Sequence, residues 1–137
     1  MATIEGACNC GAVKVTIEGD PKVAFYCHCE DCQKVHSATA IPVVMFSAGD
    51  VKTSGDTSIY TLRETPRTSC TKCGTRLFAE PPGMGMRGVV AGILPPGTFK
   101  PAFHIQCQHA AVPVKDGLPH FKGYPAAFGG SDDVVDW

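Results

Sequence analysis

Apolar and polar positions alternate over residues 12–18. Val13, Val15 and Ile17 share one face, and Lys14, Thr16 and Glu18 share the other, which is the period of a half-buried strand. Gly19, Asp20 and Pro21 signal a turn. Residues 22–26 read as a second strand, and a hairpin between the two would place Cys10 and Cys27 at the same end of a sheet. Residues 39–46 are almost continuously apolar and read as a buried strand, with Pro42 marking an edge or bulge. Short strands are expected again at 51–54, at 58–63, at 89–94 and at 103–105. Over 58–63 Ile59 and Thr61 alternate with Tyr60 and Leu62. A single helical turn is expected at 33–37. Seven to nine short strands with little helix predict a mainly β fold, as a twisted antiparallel sheet or a pair of sheets.

Composition narrows this picture. Hydrophobic residues make up 44% of 137 positions, enough for a packed core, so one domain over 1–137 is expected, with 129–137 as a loosely held tail. Fifteen glycines and eleven prolines suit many turns. Twelve basic side chains against thirteen acidic ones give no positive field to attract nucleic acid. No apolar run approaches a membrane span, and residues 1–6 have neither the basic nor the apolar region of a signal peptide. A cytoplasmic protein is therefore expected, and in a reducing compartment eight cysteines read as metal ligands or reactive thiols rather than disulfides.

The cysteines carry the chemistry. Cys27, Cys29 and Cys32 fall within six residues around His28, Glu30 and Asp31. In a regular strand Cys32 would face away from the other two, so the chain must turn after Cys29 for the three sulfurs to converge. Cys8 and Cys10 precede Gly11, and a distant Cys-x-x-Cys-Gly knuckle supplies Cys70 and Cys73. These four form a closed tetrahedral set of the kind that holds a structural zinc. The three-cysteine set either takes a fourth ligand from Cys107, His28, His36 or His104, or keeps a position open for a substrate thiol, as catalytic zinc sites do. A His between two ligands often only fills a turn. His104 reads as a satisfied core histidine and Cys107 as a small buried hydrophobe. His36 stands equally as a neighbour of the site or a surface residue. Glu30 and Asp31 are expected to face solvent, and Lys34, Arg76 and Arg87 to be solvated unless they bind an anionic group. His109 and His120 carry no signal.

The order Cys8-x-Cys10-Gly11, Cys27-His28-Cys29-x-x-Cys32-Gln33-Lys34, Cys70-x-x-Cys73-Gly74-Thr75 and His104-Ile105 resembles the glutathione-dependent formaldehyde-activating enzymes and the centromere protein V-like proteins, over roughly residues 6–125. The resemblance implies an Mss4-like fold of small coiled antiparallel sheets stapled by zinc. It implies two zinc ions: a structural one on Cys8, Cys10, Cys70 and Cys73, and a catalytic one on Cys27, Cys29 and Cys32. It implies a carbon–sulfur lyase joining formaldehyde to glutathione as S-hydroxymethylglutathione. The sequence departs from the family pattern at Ser37, where glycine is usual, and near Ala110 and Pro113, where a basic residue and a Trp are usual. The other reading is a non-catalytic zinc module that binds a protein partner.

Overall fold

A computed structural model describes residues 3–137. Ten strands follow in chain order: β1 (Thr3–Ala7), β2 (Lys14–Glu18), β3 (Val23–Cys27), β4 (Ile41–Ser47), β5 (Val51–Ser54), β6 (Thr57–Leu62), β7 (Thr65–Cys70), β8 (Arg76–Ala79), β9 (Met86–Val90) and β10 (Phe103–Ile105), with one α-helix, α1 (Glu30–His36), after β3. The strands form two sheets, so the fold is mainly β, as the alternation predicts. No helix among the described residues is long and apolar enough to cross a membrane. The chain divides into two compact units, residues 1–23 with 44–99, and residues 24–43 with 100–137.

In the first unit β1, β2 and β5 make an antiparallel three-stranded sheet in that order. Val13, Val15 and Ile17 are fully buried, and each contributes about 1.5–3 kcal/mol of hydrophobic stabilisation. β2 pairs with β1 and β5, so the expected hairpin between β2 and β3 does not form. The turn signal at Gly19 holds, but the chain leaves the sheet there instead of doubling back along β2. The unit's other ladder runs β9-β8-β7-β6, and its β6–β7, β7–β8 and β8–β9 pairings are antiparallel. Leu77, Phe78 and Val89 are buried in it. The strand expected at 89–94 stops at Val90 and gives way to a 3₁₀ turn over Ala91–Ile93. β6 lies at the end of its sheet, so its alternation buries neither face: Ile59 is 65% and Tyr60 53% exposed.

The second unit is built on β3 and β10, which run parallel with Phe25 opposite Phe103, Tyr26 opposite His104 and Cys27 opposite Ile105. This pairing departs from the antiparallel expectation. Two strands about 75 positions apart in the chain have no short turn to force the opposite direction. Phe103 stacks on Phe25 and meets the edge of Phe121, so half-buried aromatic rings line this unit. The helix begins three residues earlier than expected because Cys29 caps it: extended at φ −64° and ψ 151°, its sulfur accepts from the Cys32 amide. Ser37 ends it in the left-handed conformation, φ 51° and ψ 47°, with its amide bonded to Gln33 O. Residues 129–137 also make bridges: Val134 pairs with Phe121, the Val135 amide donates to His120 O, and Trp137 packs against His28 and His120.

Candidate metal centres

The first unit brings Cys8, Cys10, Cys70 and Cys73 together, with all four sulfurs within 4.8 Å of one another. Cys8 and Cys10 leave β1 on a turn closed by Cys8 N to Val13 O at 3.1 Å and Gly11 N to Cys8 O at 3.1 Å. Cys70 ends β7 just after a register shift between Thr68 and Ser69, a bulge that re-aims the strand end. The knuckle then closes through Gly74 N to Cys70 O and Cys70 N to Thr75 O, both 3.0 Å, and Gly74 takes φ +76°, which only glycine adopts freely.

The sulfur spacing tests the fit to zinc. Cys8 Sγ lies 3.6 Å from Cys10 Sγ, which lies 3.8 Å from Cys70 Sγ. A tetrahedron of Zn–S bonds of about 2.3 Å has edges of about 3.8 Å, whereas a disulfide would need about 2.05 Å. All eight cysteines are free thiols. Amides of Val13, Lys72 and Cys73 point at the Cys8 and Cys70 sulfurs at 3.3–3.5 Å, as thiolate ligands require. The thiols are perturbed in opposite senses. The hydroxyl and amide of Thr75 hold Cys73 down to about 5. The Val13 amide, against the burial that opposes it, lowers Cys8. At Cys10 the Ala12 amide lowers the pKa, but burial and the sulfurs of Cys8, Cys73 and Cys70 prevail and push it up to about 11. Four thiolates this close repel one another unless a cation neutralises them.

The second unit brings together Cys27, Cys29 and Cys32, again within 4.8 Å. Cys27 ends β3, Cys29 caps α1 and Cys32 lies in its first turn, so the strand-to-helix switch supplies the expected bend. The sulfurs of Cys29 and Cys32, then burial, raise Cys27 well above an ordinary thiol. Gln33 braces the bend: its Nε2 donates to His28 O at 2.7 Å and to His109 O at 2.9 Å.

Among the described residues no further His, Cys, Asp or Glu joins these three sulfurs at that distance. His28 is fully buried with its ring turned to His104. Burial, then the neighbouring His104 imidazole, lowers its pKa to about 4 and keeps it neutral. His104 is buried and bonded at both ring nitrogens, as a core histidine should be. Cys107 is buried and its thiol is pushed up to about 12, first by burial and then by Asp116, so it behaves as a small hydrophobe. Glu30 is exposed. Arg87 is taken up by Glu80, Val51 O and the Phe78 ring, and Arg76 by Ser69, so both arginines are engaged within their own unit.

A profile of the glutathione-dependent formaldehyde-activating enzymes matches residues 3–109. The chain belongs to that family. No curated protein matches it. Among solved structures, a crystal structure of a Rhodobacter sphaeroides protein is 21% identical, covers 67% of this chain and 88% of its own, and superposes with a TM-score of 0.56, which supports the fold alone.

In this formaldehyde-activating family member the sequence signature stops before several residues around the three-thiol set. Asp116 bridges His104 and His120, whose Nε2 atoms lie 2.6 and 3.0 Å from its two oxygens. Nothing in their spacing announces this, because His120 reaches β10 only through an isolated bridge to His104. Tyr124 is a second unannounced neighbour. Burial, then the charges of Cys27, Cys29 and Cys32, raises its pKa, and the Gln106 side chain hydrogen-bonds its phenol. Gly130 lets the chain fold back over it, since a Cβ there would sit 1.8 Å from Tyr124 O.

Proposed function

We propose that the protein is a zinc-dependent carbon–sulfur lyase joining formaldehyde, or a related small aldehyde, to glutathione or another small thiol in the cytoplasm. The contrast between a four-thiol set and a three-thiol set supports this reading. Cys8, Cys10, Cys70 and Cys73 would hold a structural zinc, and Cys27, Cys29 and Cys32 a catalytic one. Zinc in a three-thiol site supplies positive charge that lowers the pKa of an incoming thiol. The thiol gives up its proton, its sulfur lone pair forms the bond to the aldehyde carbon, and the carbonyl π pair moves onto the carbonyl oxygen, which takes a proton. The Tyr124 phenol keeps its proton at neutral pH, as an ordinary phenol does and burial reinforces, so it can donate a hydrogen bond to that oxygen. Gln106 orients the phenol, and Gln33 keeps the bend between Cys27 and Cys29 rigid.

Mixing the zinc-loaded protein with formaldehyde and glutathione, and following adduct formation by NMR exchange, tests the assignment. Turnover above the spontaneous rate that disappears in a folded Cys29→Ser variant is expected. The alternative, a non-catalytic zinc module for a protein partner, draws on Ala110 and Pro113, which stand where the family usually carries a basic residue and a Trp. No acceleration with either glutathione or other small thiols would favour it.

A further inference from the structure

His28 sits between two of the three clustered thiols and is held at three points. Its amide donates to Ile105 O at 3.1 Å, its carbonyl accepts from Gln33 Nε2 at 2.7 Å, and its buried ring places Nε2 2.8 Å from His104 Nδ1. The contacts continue from His104 Nε2 to Asp116 Oδ2 at 2.6 Å, and from Asp116 Oδ1 to His120 Nε2 at 3.0 Å.

Asp116 dictates the direction of every bond in this chain. Its carboxylate also accepts from the Leu118 amide at 3.1 Å and has no proton to give, so His104 and His120 must both donate from Nε2. A neutral His104 that donates from Nε2 carries a lone pair on Nδ1. His28 must then donate from its own Nε2, which leaves its Nδ1 as a bare acceptor. An independent observation agrees: His28 Nδ1 is buried without a hydrogen-bond partner. Buried acceptors without partners are tolerated better than buried N–H groups without them. Tyr26 stacked on His104 at 4.7 Å, and Trp137 against His28 and His120 at 5.2 and 4.8 Å, hold the rings in place.

We propose that His104, Asp116 and His120 are positioning residues for the three-thiol centre: through this chain Asp116 sets the tautomer and ring orientation of His28 and thereby locks the bend that presents Cys27 and Cys29. The inference rests on the metal reading of that centre given above. It places the control of the centre one imidazole, that of His104, away from the thiol-bearing segment, on a turn that ligand spacing does not mark.

Long-range proton–nitrogen NMR on the zinc-loaded full chain tests the direction, and zinc loss to a chelator followed by native mass spectrometry tests the consequence. His28 is expected to carry its proton on Nε2. Asp116→Asn is expected to speed zinc loss from the three-thiol centre about 10–100-fold, the range seen when partners of metal ligands are removed, with the four-thiol ion unchanged. Asp116→Glu, which keeps the charge, is expected to restore most of the retention. A wild-type His28 protonated on Nδ1 overturns the inference without any variant. So does an unchanged loss rate in folded Asp116→Asn, or equal acceleration at both centres, which a general loss of structure would produce. A third ion bound by wild-type protein and lost in Asp116→Asn would also overturn it, because His104 Nε2 would then be a ligand rather than a donor. A wild-type protein holding only one ion would defeat the metal reading of the three-thiol centre itself, and the ion count separates that failure from the others.

Discussion

Replacing both knuckle cysteines, Cys70 and Cys73, by serine would cut the link between the turn after β1 and the end of β7. Cys10 and Cys70 are 60 positions apart, so a zinc holding both takes the place of a cross-link that closes a loop of that length. The chain-entropy relation for cross-links gives about 4 kcal/mol for about 60 residues, against only about 2 kcal/mol for the roughly five-residue loop closed by Cys27 and Cys32. Domain stability is typically about 5–15 kcal/mol, so the first loss is a large share and the second a modest one. At about 3–4 °C per kcal/mol for a chain of this size, the knuckle variant should melt about 12–16 °C below wild type. The assay is thermal unfolding by far-ultraviolet circular dichroism on zinc-loaded protein, with the Cys27, Cys29 and Cys32 triple serine variant beside it. Equal shifts for the two variants, or a knuckle shift under about 3 °C, would refute the assignment of a long-range staple to the four-thiol set.

Three further predictions follow from the same geometry. Native mass spectrometry should find two zinc ions, with the ion on Cys27, Cys29 and Cys32 stripped by mild chelation well before the other; equal resistance would count against the three-donor site. His28, buried neutral with a pKa of about 4 against 6.5 unfolded, leaves the unfolded state with more bound protons between those values, so stability should fall as pH drops through that window. The loss is at most about 3 kcal/mol, at about 1.4 kcal/mol per pH unit. Urea midpoints of wild type and His28→Gln at pH 7.0 and 5.5 check it, and parallel pH dependences would sink it. Ser37→Gly should raise stability by about 1 kcal/mol, because a non-glycine residue in the left-handed cap is strained by about that much; an unchanged midpoint would mean that Ser37 is relieved by contacts of its own.

Cysteine spacing made both thiol sets legible, because metal ligands must converge whatever the chain does between them. Alternation found β2, whose two faces differ in burial. It also found β6, although there the same pattern lies at a sheet edge and buries neither face, and it missed the parallel pairing of β3 and β10, which depends on residues far apart in sequence. Ser37 stood out as a departure from the family pattern, and its φ of 51° gives the physical reason glycine is usual there. Asp116, His120 and Tyr124 were invisible for a different reason. They lie in a stretch punctuated by Pro113, Pro119 and Pro125, where no period connects one side chain with the next. Only the folded backbone places the first two beside His104.

Trp137 is the chain's sole indole, and it rests against imidazoles of the second unit. Its emission is therefore a private reporter of that half of the molecule, quenched or shifted when those rings move and silent about events among β1, β2 and β5. Charge-transfer absorption from cobalt placed on the four-cysteine knuckle would supply the complementary signal. Together the two optical channels would reveal whether the halves melt in one event or in sequence, without any label being added.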